Sequence, residues 1–144
     1  MINDGFNITG RLQVELNGKV VREIDNLVTT AGKGFVASSM IKTTSNSPAA
    51  MTHMAIGSNT TNPAAGDTAL GTELGRVALT SAAVSGAVVT YVATFAAGTG
   101  TGAVVEAGIL NASSGGTLLC HTEFAVVNKG SADAITITWT VTVS

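Results

Sequence analysis

Two histidines, one cysteine and a carboxylate set in an apolar run are the residues of this chain with the most chemistry in them. His53 and His121 are the side chains able to exchange a proton near neutral pH. Cys120 adjoins His121 in L-L-C-H-T, and a thiol beside an imidazole is the pairing that makes a cysteine nucleophile. Neighbours on a strand point to opposite faces, however, so adjacency separates these two side chains. Both histidines therefore read as ordinary strand residues, and Cys120, next to Leu118 and Leu119, as a buried thiol. As the one cysteine of the chain it cannot close an intrachain disulfide. A metal centre needs three or four converging ligands, which two histidines and a cysteine at scattered spacing do not supply. Glu106 lies inside A-V-V-E-A-G-I-L with no second carboxylate near it in sequence. It is expected to accept hydrogen bonds from a turn backbone, or to pair with Lys33 or Arg76.

The glycine motifs carry no more. Gly32-Lys33-Gly34 lacks the G-x-x-x-x-G-K-[ST] order that cradles phosphate. Gly98, Gly100 and Gly102 have no following helix whose N-terminus would bind an anion. The expectation is a chain without catalytic residues, cofactor or metal.

These residues are carried chiefly by strands. Ala134 to Ser144 reads A-I-T-I-T-W-T-V-T-V-S, with Ile135, Ile137, Trp139, Val141 and Val143 on one side and four threonines on the other. Strict alternation of β-branched and aromatic residues marks a half-buried strand. It is expected to be the central plank of the fold, with Trp139 in mid-core beside Ile135, Ile137 and Val141. Ile8 to Leu16 alternates likewise, Asn17-Gly18 suits a type I′ turn, and Lys19 to Ile24 returns. Charges on the outer face of this N-terminal hairpin (residues 1–25) place it at an edge or rim, or as an arm. Thr30 to about Ile41 is the one helical candidate, capped by Thr29 or Thr30, with Phe35, Val36, Ser39 and Met40 near one stripe. Gly32 and Gly34 weaken it by about 1 kcal/mol each.

Thr43 to Ala50 and Ser58 to Gly66 read as polar, irregular stretches, with a strand at Met51 to Gly57 between them. Arg76 to Val84 alternates as a single strand, turns at Ser85-Gly86 and returns as Val88 to Phe95, with Tyr91 and Phe95 facing the core. Ala103 to Leu110 and Thr117 to Thr122 form a third hairpin through S-S-G-G, Phe124 to Val127 continues after a bend, and Asn128 to Asp133 is a polar turn. Short strands at such spacing point to a mainly β fold, an antiparallel β-sandwich or jelly roll, as a single domain over 1–144.

Charged residues make up 11% of the chain and aromatics 4%, against an ordinary charged share of about 25%. So few charges cannot coat a free surface in the usual way, which points to burial against copies of the chain or a partner. A net charge of −2 with no basic run argues against nucleic acid. The opening M-I-N-D-G-F has neither the basic nor the apolar region of a signal peptide, and no apolar run approaches the ~20 residues that span a bilayer.

Four phrases together resemble the small virion structural proteins of tailed bacteriophages: N-L-V-T-T-A-G-K-G-F (Asn26–Phe35), M-A-I-G-S-N-T-T-N-P-A-A-G-D-T-A-L-G-T-E (Met54–Glu73), V-E-A-G-I-L-N-A-S-S-G-G-T-L-L (Val105–Leu119) and N-K-G-S-A-D-A-I-T-I-T-W-T-V-T-V (Asn128–Val143). The resemblance implies a non-enzymatic subunit, dimeric or trimeric, that assembles on the virion after synthesis in the bacterial cytoplasm. It supplies no catalytic residues. Such proteins occur as capsid decoration (cement) proteins and in tails, baseplates and fibres. The absence of a heptad run or shaft repeat favours decoration of the major capsid protein over a fibre. A carbohydrate-binding module ranks lower, because its sole tryptophan falls on the core face, and a small hydrolase lower still.

Overall fold

Alternation becomes architecture in a single curled antiparallel sheet. The computed structural model describes residues 5–41 and 48–144, and in these the fold is mainly β. The strands are β1 (Ile8–Leu16), β2 (Lys19–Val28), β3 (His53–Gly57), β4 (Glu73–Ala78), β5 (Ser81–Ser85), β6 (Val88–Phe95), β7 (Gly102–Leu110), β8 (Leu118–Lys129) and β9 (Ile135–Val143), with one helix, α1 (Thr30–Ser39). Their order across the sheet is β4-β3-β7-β8-β2-β1-β9-β6-β5, and the sheet curls until β4 meets β6.

β9 lies inside this order, paired along its whole length with β1 on one side and β6 on the other. Its alternating apolar row faces inward: Ile135, Ile137 and Trp139 are fully buried, with Val141 nearly so. Phe95 and Tyr91 arrive opposite Ile135 and Trp139 from β6, and Leu12 and Val14 join from β1. Trp139 keeps its indole N–H satisfied by donating to Asn26 Oδ1 at 2.6 Å. Asn26 reaches it across Gly10, its paired residue on β1, where any Cβ would collide with the amide. Asn26 Nδ2 is then left with only the Cys120 sulfur, a weak acceptor.

The β1–β2 turn is as expected, with Asn17 and Gly18 both at positive φ, 51° and 82°. Its place in the sheet is not. The N-terminal hairpin is no rim or arm: β1 pairs with β9 and β2 reaches β8, so both strands lie in the sheet's interior. Outer-face charges report which face meets water; they say nothing about what pairs along the strand edge. The β2–β8 joint is short, Leu27 and Val28 against His121 and Cys120. Beyond it the strands part, and the Arg22 guanidinium spans the gap, donating to the Ala125 and Val126 carbonyls at 2.8 and 2.7 Å.

The expected strand Arg76 to Val84 is also corrected. It breaks between Ala78 and Ser81, and the two pieces, β4 and β5, go to opposite ends of the sheet order. The apolar row changes phase across the break: Val77 and Leu79 pack on the core before it, whereas after it Ala82 and Val84 share the face of Tyr91 and Val89 and Ser81 turns outward. In contrast, Leu118 to Lys129 is one strand where a bend and a turn were expected, with register shifts against β7 absorbing the irregularity. Of the polar loop Thr43 to Ala50, residues 43–47 lie outside the described residues.

α1 is capped by Thr29, whose hydroxyl accepts from the Gly32 N–H, and it packs on β8. Phe35 and Val36 pack against the core, but Met40, expected on the same stripe, is 80% exposed just past the helix. The two helix glycines behave oppositely. Gly32 is pressed on the Leu119 backbone, where a Cβ would overlap the carbonyl, whereas Gly34 has open space. Gly34→Ala is expected to raise stability by about 0.5–1 kcal/mol through helix propensity. Gly32→Ala is expected to lower it by about 1–3 kcal/mol, since overpacking against backbone exceeds the propensity gain. Paired urea titrations of the two variants check the difference in sign.

Candidate functional site

Glu106 and His121 come from neighbouring strands. β7 and β8 pair so that Glu106 faces Glu123 and Gly108 faces His121, which puts both side chains on one face of the sheet. That face is turned away from the Trp139 core, toward the long connection from Ser58 to Thr72. Cys120 points the other way, into the core, where burial pushes its thiol up to about 12 against a small downward pull from Asn26. Adjacency of Cys120 and His121 therefore produces no nucleophile–base pair.

The connection folds over Glu106 and donates to it. Glu106 Oε2 accepts from the Asn59 and Thr72 N–H groups, and Oε1 from the Gly71 N–H, each at 2.9 Å. His121 Nε2 lies 2.9 Å from Oε1, and its Nδ1 lies 2.8 Å from Asp67 Oδ2. Asp67 Oδ2 in turn accepts from the Ala64 N–H at 2.8 Å. The imidazolium form donates to both carboxylates at once. The row Asp67–His121–Glu106 thus ties three points of one loop to the sheet.

Burial pushes the Glu106 carboxyl up, but the bonds from Thr72, Asn59, Gly71 and His121 together outweigh it and hold the group below its ordinary value. The Ala64 N–H chiefly holds Asp67 low, helped by His121 and opposed by its slight burial. Glycine is required where the loop closes on the carboxylate: a Cβ on Gly57 would meet Glu106 and the Thr72 carbonyl, and one on Gly71 the Asn59 side chain.

The expected partners of Glu106 are corrected in part. Backbone donors are present as foreseen, but Lys33 and Arg76 are elsewhere. Arg76 joins Glu73 at 2.7 Å and holds the Ala112 and Gly115 carbonyls of the β7–β8 turn. The reading of His121 as an ordinary strand residue is corrected as well, since it is buried between two carboxylates. His53 is an ordinary strand residue, bonded to the adjacent Thr52 hydroxyl at 2.8 Å. Lys129, read as part of a polar turn, is buried, its ammonium donating to the Ala96 and Asp133 carbonyls at 3.0 and 2.6 Å. Nothing short-range marks it, because its partners belong to two different loops.

A small polar recess of about 120 Å³ beside the row is lined by Asn59, Thr61, Asn62, Asp67, Glu106 and His121. Both imidazole nitrogens are taken by carboxylates, so neither is left to accept a proton from a hydroxyl or thiol. Among the described residues no three His, Cys, Asp or Glu side chains are placed to hold a metal ion. A wider groove of about 770 Å³ runs along the outer face of β1, β2 and β9. Its charges are mixed, Arg11 and Lys33 with Glu23 and Asp25, and Arg11 is paired to Asp25 at 2.9 Å. A field of one sign that would select an anion does not arise there.

The most distinctive surface is uncharged. Ser81, Ala83 and Ser85 on β5, Val88, Thr90, Val92 and Thr94 on β6, and Thr136, Thr138, Thr140 and Thr142 on β9 share one outward face by their pairing. Thr94 and Thr136 hydroxyls bond across it at 2.9 Å. Charge begins abruptly at the next strand, where Arg11, Gln13 and Glu15 stand beside Thr140, Thr138 and Thr136. No protein-family model, no curated protein and no solved structure matches the chain.

Proposed function

We propose that this protein is a non-enzymatic structural subunit of a tailed-phage virion, a capsid decoration (cement) protein that assembles with itself on the head and covers joints between major capsid subunits. The carrying observation is the uncharged outward face of β5, β6 and β9, three strands wide without a lysine, arginine, aspartate or glutamate. A surface kept in water is normally a mixture of both charge signs, whereas a face to be buried against protein avoids them, because each would lose its hydration. The four phrases that resemble those of phage virion proteins support the choice of particle. The curled sheet, with its core enclosed between the β9 and β7 regions, is read as a sandwich of the jelly-roll kind.

The Asp67–His121–Glu106 row fits this reading as a latch. It keeps the 58–72 connection rigid against the sheet, which a subunit with many weak, symmetry-repeated contacts requires. Occupation of both His121 ring nitrogens by carboxylates supports a structural role for the row.

Purified protein is expected to bind heads assembled without it, in fixed stoichiometry, and to raise their melting temperature. Heads that neither bind it nor gain stability would remove the capsid assignment. Intact, stable heads with lost infectivity after deletion of the gene would place the protein in the tail or baseplate, the second reading.

A further inference from the structure

The sheet has one end without protection. Its β4 end meets β6 and carries Glu73 and Arg76, and the opening between β2 and β8 is spanned by Arg22. At the other end β5 pairs with β6 alone, and all five of its residues, Ser81-Ala82-Ala83-Val84-Ser85, are exposed, Val84 at 72%. Free strand edges are ordinarily guarded by lysine, proline, a bulge or a covering loop. Among the described residues no such guard stands at β5: from Val77 to Val105 the chain has no charged residue and no proline, and the β5–β6 register runs without a shift.

We propose that β5 is a self-pairing edge, joined antiparallel to β5 of a second copy about a two-fold axis through Ala83. The segment is nearly the same read from either end. Antiparallel pairing centred on Ala83 sets Ser81 opposite Ser85 of the second copy, Ala82 opposite Val84, and Ala83 opposite itself. Each side chain keeps its face: Ala82 and Val84, which lie beside Tyr91 and Val89, form one small apolar row, and the serines form the other. No charge is buried and no bulky side chain meets another. An isologous contact of this kind closes after two copies, so the edge is consumed rather than propagated. It also makes the uncharged faces of the two subunits continuous. The inference is independent of the virion reading, because it concerns the free protein.

A five-residue edge buries far less than a standard interface, so the dimer is expected to be weak and concentration-dependent. Sedimentation of the full chain over a wide concentration range reads it directly. In Ala82→Lys/Val84→Lys, lysines stand directly opposite each other across the joint, and the dimerisation constant is expected to weaken by about tenfold or more. Both positions are exposed, and an unchanged circular dichroism spectrum and melting curve show the fold is retained.

Cross-linking fixes the register. Opposed residues of an antiparallel pair have Cα atoms about 4.5–5.5 Å apart, within disulfide range, and native Cys120 is buried and does not compete. Oxidised Ala83→Cys is expected to give a covalent dimer rapidly. Ser81→Cys, whose own copy lies about 13 Å away across the two-fold at 3.3 Å per residue, is expected to give little. A monomer at every concentration, an oligomer indifferent to the double lysine variant, or equal cross-linking of the two cysteine variants would overturn the proposal. Head binding that survives these outcomes would leave the function untouched.

Discussion

Glu106→Gln is expected to cost about 3 kcal/mol and to lower the melting temperature by about 10 °C, although no apolar contact is lost. The carboxylate accepts three backbone N–H bonds and one from His121, and an amide cannot replace it. Its carbonyl oxygen can keep one group of donors, but its NH₂ must then face N–H groups that need an acceptor. Buried donors left unpaired cost more than the net worth of the bonds they made. The damage is local in origin, so amide exchange should accelerate first at Asn59, Gly71 and Thr72, before the β1–β9–β6 region responds. Uniform acceleration across the sheet, or a melting temperature unchanged within a degree or two, would show that the loop is held by something else.

The same row sets an acid limb. Glu106 and Asp67 are both lowered in the folded protein, from ordinary values of 4.5 and 3.8. A carboxyl lowered by folding contributes stability that is complete above its unfolded value. That contribution is lost as pH falls through the folded one. Stability should therefore be level above about pH 5 as far as these two groups are concerned, and should decline below about pH 4. The decline should be shallower in Glu106→Gln, which has one of the two carboxyls removed. Equal acid limbs for the two proteins would exclude Glu106 as a source.

Trp139→Ala is expected to be the most damaging single truncation, about 4 kcal/mol, and to leave the domain near the limit of folding. Trp139 is fully buried in the middle of β9, between Leu12 of β1 and Tyr91 of β6, so the void opens where neighbours are pinned by strand pairing and cannot close it. Trp139→Phe separates the two contributions. It keeps most of the ring volume but deprives Asn26 Oδ1 of its donor, with an expected cost of about 1–2 kcal/mol beyond the volume change. Thr138→Ala, one residue away on the opposite face, should stay within about 0.5 kcal/mol. Urea midpoints of the three variants give the ranking; a Thr138→Ala loss as large as that of Trp139→Phe would contradict the assignment of faces.

Which residues alternate can be read from residue order, because alternation is a local property of period two. That was enough for the extent of β9 and β1, the inward row from Ile135 to Val141, the positive φ at Asn17-Gly18, a helix cap at Thr29 or Thr30 and the burial of Cys120. None of these depends on what lies beside the strand. The neighbours of each strand follow from long-range pairing. β1 and β2 carry charges that suggested a rim, yet they fill the middle of the sheet, because pairing uses backbone groups that side-chain pattern does not encode. Arg76 to Val84 reads as one strand from Val77 and Leu79 against Arg76 and Thr80, yet it divides between the two ends of the sheet.

The Asp67–His121–Glu106 row shows the limit most clearly. Glu106 was visible as a charge in an apolar run, which requires compensation, but its backbone donors lie 34, 35 and 47 residues away and His121 lies 15 away. They meet it only when β7 and β8 pair and the 58–72 connection folds back. Lys129 is hidden for the same reason, its carbonyl partners being brought together by two loops. The apolar run around Glu106 marks its burial locally, whereas the burial of Lys129, and the identity of what satisfies either charge, are properties of long-range contacts.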